Sequence, residues 1–235
     1  MKKAVLMLSV VLIGSIATFA ANCPATTYDN YIVTGFSCGI DDKTFSDFMY
    51  TGTSNPPGFA IPAGSVAVTP LTQPGNPGFQ WSAPWFAGTS NGILAQDSLF
   101  QFAVNVNPGG NLITDLSLTI AGVGFAGTGE VVVDETACLG ALLPTCTGGQ
   151  IVTLRVFAGA SGSQLVDEVN FAPVSLISVA KDVEIQAGTN GNASLSVVTD
   201  QFSEGGATVP EPGTLSMLGA GVLALVGFTR RNLKL

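Results

Sequence analysis

The sequence contains no histidine at any of its 235 positions. A serine or cysteine nucleophile usually takes its proton-accepting base from histidine, so the common hydrolase designs lack a component here. Histidine is also a frequent ligand in zinc sites, and its absence argues against a metal centre. We therefore expect a protein that is not an enzyme and that uses no cofactor.

Positive charge is scarce as well. The chain has eight Lys and Arg residues, of which only Lys43, Arg155 and Lys181 lie between residues 21 and 208. The same stretch holds fifteen of the sixteen acidic residues. A strongly acidic body repels nucleic acid and anionic membrane surfaces, which excludes both as partners. The simplest interpretation is that the charge keeps an exported protein soluble.

The amino terminus has the three parts of a secretory signal. Two lysines follow Met1, an apolar run covers residues 4–16, and Ala17-Thr18-Phe19-Ala20 supplies small residues at the exit. We expect a signal peptide over residues 1–20 that is removed after Ala20. The alternative is an uncleaved anchor helix, although the apolar run is short for a bilayer.

The carboxyl terminus combines a proline motif, an apolar run and basic residues. Pro210-Glu211-Pro212 precedes the uncharged stretch Thr214–Thr229, and Arg230-Arg231 follows it. This order predicts a short transmembrane helix with its cations on the cytoplasmic side. The two prolines should keep the peptide just outside the membrane extended and accessible to a membrane enzyme. A plain anchor that is never cut is the alternative.

The tail resembles the PEP-CTERM sorting signal of Gram-negative bacteria. The resemblance implies recognition by an exosortase at Pro210, Glu211 and Pro212, with Arg230 and Arg231 as the stop. It also implies a surface or matrix location linked to exopolysaccharide and biofilm, with exopolysaccharide as a partner. The membrane would hold only the precursor. The body, through Cys38–Phe48, resembles other proteins that carry this tail, which implies surface sorting without implying a chemistry.

Residues 21–208 are rich in strand and turn residues. Phe100–Val106 and Asp115–Ile120 alternate with a period of two, and Asn107–Asn111 between them supplies turn residues, so we expect an antiparallel hairpin. Strands are also expected at 28–34, 45–50, 65–69, 78–81, 129–134, 151–157, 164–171, 174–180, 181–186 and 193–199. The fold class predicted is an all-β, two-layer antiparallel sandwich with a jelly-roll-like topology. The proline-rich segment 54–92 should resist regular pairing and should contain a long ordered loop or an edge region.

Four cysteines in an exported chain favour two disulfides. Three pairings are open, and the sequence-local one, Cys23–Cys38 with Cys138–Cys146, is the preferred prediction. The second of these pairs encloses Gly140 and Pro144, which suit a small loop. No metal site is predicted from the cysteines, because their spacing differs from that of zinc ribbons.

Two further kinds of site were considered in the body. Core packing is the favoured interpretation of Trp81 and Trp85, which would be carbohydrate contacts if they were exposed on one sheet face. Asp41-Asp42 and Asp134-Glu135 could supply oxygens to calcium, against ordinary turn acids. The function expected is therefore a structural or adhesive surface protein. The alternatives are a carbohydrate-binding module without catalysis and, less favoured, a secreted glycosidase with a pair of carboxyl groups.

Overall fold

A computed structural model describes residues 21–208 of the chain, with side chains as far as residue 205. The predicted signal peptide (1–20) and the predicted sorting tail with its transmembrane helix (209–235) lie outside the described residues. Within the described part, no helix is long and apolar enough to cross a membrane. The strands are β1 Thr26–Thr27, β2 Ser37–Ile40, β3 Lys43–Asn55, β4 Ala67–Gln73, β5 Asn76–Gly88, β6 Ala95–Val106, β7 Asn111–Ala121, β8 Gly124–Gly127, β9 Glu130–Leu139, β10 Gln150–Gly159, β11 Gly162–Gln164, β12 Val166–Val174, β13 Leu176–Gln186 and β14 Gly191–Thr208.

These strands form two antiparallel sheets. In the first sheet the strand order is β11-β10-β9-β13-β6-β3-β2, and in the second it is β1-β4-β5-β14-β7-β12, with β8 also pairing with β14. The helical segments in this part are short 3-10 turns at Tyr28–Asn30, Ala63–Ser65 and Thr89–Asn91. The prediction of an all-β antiparallel sandwich is confirmed, while the jelly-roll label remains a prediction.

The sheets pack because their inward-facing residues alternate with outward-facing ones. Aromatic rings from both layers meet in the middle: the centroid of Phe45 on β3 lies 4.8 Å from that of Phe79 on β5 and 5.9 Å from that of Phe202 on β14. All three side chains are fully buried. Each such burial contributes about 1.5–3 kcal/mol, so this aromatic layer holds the sheets together.

The predicted hairpin between the 100–106 and 115–120 segments is wrong. Both segments are strands, but β6 belongs to the first sheet and β7 to the second. The turn between them, with Gly109 at a φ of 85°, carries the chain from one layer to the other. Turn residues permit a sharp change of direction without specifying whether the next strand pairs with the last one or packs across from it.

The prediction that segment 54–92 resists pairing is also wrong in part, because β4 and β5 lie there. Pro84 is tolerated in β5 because the register against β14 shifts between Leu195 and Val197, where Pro84 lies opposite. On its other side β5 pairs with β4 only from Asn76 to Ser82, so Pro84 faces an open edge there. Prolines at a bulge or an edge leave no ladder hydrogen bond broken.

The segment predicted as a strand at 28–34 begins with a 3-10 turn at Tyr28–Asn30 and contains no strand. Tyr28 and Tyr31 are both fully buried, and residues three apart lie on one side of such a turn. Their rings stack at a centroid distance of 6.1 Å. The segments predicted as two strands at 174–180 and 181–186 form one continuous strand, β13.

Both predicted disulfides are confirmed, Cys23–Cys38 and Cys138–Cys146. The first ties the start of the described chain to β2, and the second closes the loop that follows β9. Cross-links of this kind stabilise a small exported domain by about 2–4 kcal/mol each, mainly by restricting the unfolded chain.

Candidate functional site

Three charged side chains meet inside the sandwich, and we call them the buried trio: Lys181, Glu135 and Asp200. Each lies at an inward position of its strand, between apolar neighbours two residues away on either side. Lys181 on β13 is the direct cross-strand partner of Glu135 on β9. Asp200 reaches them from β14 in the opposite sheet. All three side chains are fully buried.

The Lys181 ammonium is the centre of the buried trio. Its Nζ lies 2.9 Å from Glu135 Oε2 and also forms an ion pair with Asp200 Oδ1. Within residues 21–208, no hydrogen bond from outside the trio reaches the carboxyl oxygens of Glu135 or Asp200. Burial raises the pKa of Asp200 well above its ordinary value, and the Glu135 carboxylate raises it further, while Lys181 opposes both effects. Asp200 therefore takes up a proton more readily than an ordinary aspartate does.

Aromatic residues and a glycine surround this group. Lys181 Nζ lies 4.3 Å from the ring centroid of Trp81, in a cation–π arrangement. Gly78 lets β5 approach β14 beside Asp200, since a Cβ at Gly78 would lie 2.0 Å from the Asp200 backbone oxygen. A larger residue at position 78 would push the strands apart where Asp200 enters the core.

A second fully buried lysine, Lys43 on β3, also joins the two sheets. Its Nζ lies 2.6 Å from Glu204 Oε1 on β14 and forms an ion pair with Asp42. Unlike the buried trio, this group is open to solvent through Asp42 and receives hydrogen bonds from Asn111, whose backbone N–H donates to Asp42 and whose side chain donates to Glu204. Burial raises the pKa of Asp42, but hydrogen bonds with Lys43, Glu204 and Asn111 bring it below its ordinary value.

The two pairs of acidic residues predicted as calcium candidates differ in their geometry. Asp41 and Asp42 come together with Glu204, with one oxygen of each within 4.8 Å of the others, but Lys43 already pairs with two of the three carboxylates. Asp134 and Glu135 point to opposite faces of β9, one exposed and one buried. They cannot share an ion, so that candidate is wrong.

Trp81 and Trp85 are core residues, as the favoured interpretation had it, and the condition for carbohydrate contact is not met. Each indole is only 1% exposed. Trp81 packs among Phe79, Phe100 and Phe102, and Trp85 Nε1 donates a hydrogen bond to Ser98 Oγ at 3.0 Å. A sugar ring could stack on either indole only if the core opened, and core packing accounts for both.

The segment Gly88–Gly92 has the Gly-x-Ser-x-Gly spacing found at the nucleophile turn of many hydrolases. That turn needs a strand before it and a helix after it. Here a 3-10 turn at Thr89–Asn91 joins two strands, and Ser90 Oγ hydrogen-bonds the Asn91 side chain at 3.0 Å. With no histidine in the chain to act as its base, Ser90 has no catalytic partner of the usual kind.

The outer face of the first sheet carries a cluster of acidic residues. Asp97 on β6 and Asp182 on β13 interact there, near Glu184 and Asp134. Partial burial raises the pKa of Asp182 from 3.8 to about 6, and the neighbouring carboxylates, Asp97 first, add to the rise. Burial also raises the pKa of Asp97. The folded protein therefore holds a proton here that the unfolded chain releases at lower pH.

We expect Asp182→Asn to stabilise the protein near neutral pH. A carboxyl whose folded-state pKa is raised costs stability as pH rises above its unfolded value, and the full cost is present above about pH 6. After discounting for solvent screening, the gain should be about 1 kcal/mol at about pH 8 and close to zero at about pH 4. Thermal unfolding at the two pH values measures it.

Asp115→Asn is the matched control, because it removes one charge from β7 of the other sheet. An Asp182→Asn gain that is the same at both pH values would contradict the assignment of the cost to the ionised carboxyl.

The buried trio and the Lys43 group were not predicted from the sequence. The sequence does, however, mark the positions of the trio as inward-facing. Ile177, Val179, Val183 and Ile185 mark every second residue of β13 as inward, and Lys181 occupies the middle of that series. Glu135 interrupts a similar series on β9, and Asp200 lies between Val198 and Phe202. A charged residue on the apolar face of a long alternating strand is the signal that identifies such positions.

The comparison with family models identifies the tail. A family model described as the PEP-CTERM protein-sorting motif matches residues 208–231. That span contains Pro210, Glu211, Pro212, Arg230 and Arg231, which lie outside the described residues. The chain carries a PEP-CTERM sorting signal. A PEP-CTERM signal together with two disulfides indicates an exported protein, since disulfides persist in oxidising compartments.

No curated protein matches this PEP-CTERM chain. Among solved structures, TmCBM61 in complex with β-1,4-galactotriose is similar at a TM-score of 0.34 and 11% identity, over 68% of this chain and 90% of that one. The family 32 carbohydrate-binding module of C. perfringens NanJ in complex with galactose has a TM-score of 0.23 and 16% identity, over 65% and 93%. Similarity at this level says nothing about what the PEP-CTERM chain binds.

Proposed function

We propose that the chain is an exported surface or matrix protein, sorted through its carboxyl-terminal signal, with a structural or adhesive role in exopolysaccharide. The match to the sorting motif carries this proposal. The position of the match adds to it, because β14 ends at Thr208 and the matched span begins at residue 208. A cut near Pro210–Pro212 would release a body that keeps all fourteen described strands.

The route has three steps in this proposal. A signal peptide over residues 1–20 directs export and is removed. The domain of residues 21–208 folds outside the cytoplasm and forms its disulfides, while the apolar part of 209–235 holds the precursor in the inner membrane. An exosortase then acts near the Pro-Glu-Pro triplet and leaves the body at the surface or in the matrix.

The charge of the body favours a neutral polysaccharide as the contact partner. Lys43 and Lys181 are buried, so Arg155 is the exposed cation between residues 21 and 208. Even this guanidinium is paired, with Asp134 at 3.0 Å. A surface that presents carboxylates with so few cations repels polyanions, and their approach would require bridging metal ions.

The two alternatives have less support. The hypothesis of a carbohydrate-binding module depended on exposed tryptophans, and both Trp81 and Trp85 are in the core. A glycosidase needs two carboxyl groups in a cleft that a sugar can enter. Glu135 and Asp200 are buried between the sheets, and Asp97 and Asp182 lie on the outer face of the first sheet. Retention on the producing cell's own polysaccharide, with and without an added divalent cation, tests the adhesive role. Failure to be retained under both conditions would leave only the structural role.

We expect replacement of Pro210, Glu211 and Pro212 by alanine to abolish release of the body. In exosortase-containing cells the unaltered chain should lose its tail and leave the membrane fraction. The triple variant should stay in that fraction at full length, because the apolar run remains and the cleavage motif is gone. Immunoblots of membrane, surface and medium fractions measure the distribution.

Cells that lack the exosortase are the control, since both proteins should remain membrane-bound there. Release of the triple variant to the same extent as the unaltered chain would contradict exosortase sorting at these residues.

A further inference from the structure

The buried trio places an amine and a carboxyl group from opposite sheets in direct contact. Lys181 extends from β13 in the first sheet, and Asp200 extends from β14 in the second. Lys181 Nζ contacts Asp200 Oδ1, and Glu135 Oε2 lies 2.9 Å from the same Nζ. All three side chains are fully shielded from solvent. A nucleophile, an electrophile and a proton carrier are therefore held together in a dry core.

Such a core favours condensation of an amine with a carboxylic acid. Low polarity penalises separated charges, so transfer of a proton from the ammonium to a carboxylate costs less than in water. Exclusion of water also prevents the reverse reaction, hydrolysis. Burial, and then the Glu135 carboxylate, raises the pKa of Asp200, which favours the acid form of its carboxyl group, the form that can lose its hydroxyl as water.

We propose that Lys181 Nζ and Asp200 Cγ form an intramolecular amide bond that links the two sheets, with Glu135 as the catalytic proton carrier. The trio begins as an ammonium, a Glu135 carboxylate and an Asp200 carboxylic acid. Glu135 takes one proton from Nζ, and the neutral amine attacks Cγ to form the C–N bond. Glu135 then donates this proton to the Asp200 hydroxyl as it accepts a second proton from Nζ, the C–O bond breaks, and one water leaves. The amide is neutral, Glu135 ends with one proton, and no oxidant or other reactant is consumed.

Trp81 is a positioning residue for the amine of Lys181. Its ring lies 4.3 Å from Nζ, where it holds the ammonium toward the carboxyl groups before proton transfer. Phe79, the cross-strand partner of Asp200, packs against the same indole at a centroid distance of 5.7 Å. The aromatic side chains thus limit the motion of both reacting groups and keep solvent out.

Lys43 offers a comparison within the same molecule. It is equally buried and also pairs across the sheets, with Glu204. Its carboxyl partners, however, receive hydrogen bonds from Asn111, and Asp42 is 24% exposed. Hydrogen bonds lower the pKa of Asp42, and its carboxylate form is a poor electrophile. Burial raises the pKa of Glu204, but water that reaches this group through Asp42 can hydrolyse a bond formed there. We therefore expect Lys43 to keep a free amine.

Peptide mapping of the full chain tests the bond. The purified protein is denatured, its disulfides are reduced and alkylated, and free amines are acylated before proteolysis and mass spectrometry. We expect Lys43 to take the acyl group and Lys181 not to take it. The Lys181 and Asp200 segments should appear as one linked species, lighter than the separate peptides by one water. Fragmentation should assign the link to these two residues.

The possible results separate the proposal from its competitors. A cyclic imide at Asp200 also loses one water but leaves Lys181 free to be acylated, and that result would overturn the proposal. A link from Lys181 to Glu135 would overturn the choice of Asp200. Full acylation of Lys181 with no loss of mass would overturn the bond itself. Each of these results comes from the unaltered chain, so none depends on a variant that folds.

Variants then test the role of each group. Lys181→Arg keeps the positive charge but removes the nucleophilic amine, and Glu135→Gln keeps the side-chain size but removes the proton carrier. We expect neither to show the linked species. Asp115→Asn, outside the trio, should form the link in full. A linked species at unchanged yield in Glu135→Gln would show that Glu135 carries no proton in this reaction.

Discussion

Relative to protein in which the Lys181–Asp200 amide has not formed, Lys181→Met is expected to lower the free energy of unfolding by about 3–5 kcal/mol, the cost of leaving a buried charge without its partner. Relative to linked protein the loss should be larger, because the cross-link is absent as well. The substitution keeps the length and the apolar stem of the side chain but removes the ammonium. Glu135 and Asp200 then face each other in the core with no cation between them. Asp200 can take up a proton, because burial raises its pKa, but Glu135 gains no new partner. Urea unfolding followed by circular dichroism measures the change.

Two further proteins make this test specific to buried charge. Arg155→Met breaks an ion pair on the same sheet whose side chains are 58% and 50% exposed, and we expect a loss of about 0–1 kcal/mol. A triple variant, Lys181→Met with Glu135→Leu and Asp200→Val, replaces the whole trio by apolar groups and should lose less than the single variant. If Lys181→Met costs no more than Arg155→Met, the trio does not stabilise the fold as described.

The sorting signal in the tail could be predicted from the sequence, whereas the buried trio in the body could not. The sorting signal is linear: a triplet, an apolar run and two arginines in a fixed order are visible without any knowledge of the fold. The buried trio depends on which strands become neighbours. Lys181 and Glu135 meet because β13 pairs with β9, and Asp200 joins them because β14 packs over both from the other sheet. Local patterns carry no information about such partners.

The alternation of residues could have shown that the three charged side chains point inward. It could not have shown that they meet. A charged residue at an inward position also fits a strand end or a sheet edge, where the side chain reaches water. The sequence predicted two strands, 174–180 and 181–186, where the structure has the single strand β13. That division placed Lys181 at a strand end. The unbroken pairing of β13 with β6, from Leu176 to Gln186, shows that Lys181 lies in mid-strand.

The failed hairpin illustrates the same limit. The strand segments around Phe102 and Leu118 were predicted correctly because each has a strict period of two. Their pairing was not, since β6 pairs with β3 and β13, whereas β7 pairs with β14 and β12. Competition among fourteen strands for neighbours is decided by the total apolar surface that each arrangement buries. The preference of a short turn for one strand pairing is small compared with the free energy of burying that apolar surface.

Trp81→Ala is expected to lower the free energy of unfolding by about 3–5 kcal/mol, as large-to-small changes in a core do. The indole lies between the two sheets, with its centroid 5.8 Å from that of Phe100 and 5.7 Å from that of Phe102. Its removal leaves a cavity beside Lys181 and withdraws the ring that faces the ammonium. Urea unfolding followed by circular dichroism measures the loss, and the fluorescence of Trp85 reports independently on the same core.

Phe59→Ala is the matched control, because Phe59 is 46% exposed and lies outside the aromatic core. We expect it to cost about 0.5 kcal/mol, within the range of surface substitutions. The comparison separates two roles for Trp81 that the sequence left open. A core residue loses stability when it is truncated, whereas a sugar contact would lose retention on polysaccharide and leave stability near that of Phe59→Ala. A Trp81→Ala protein as stable as the control would mean that the indole does not occupy the core.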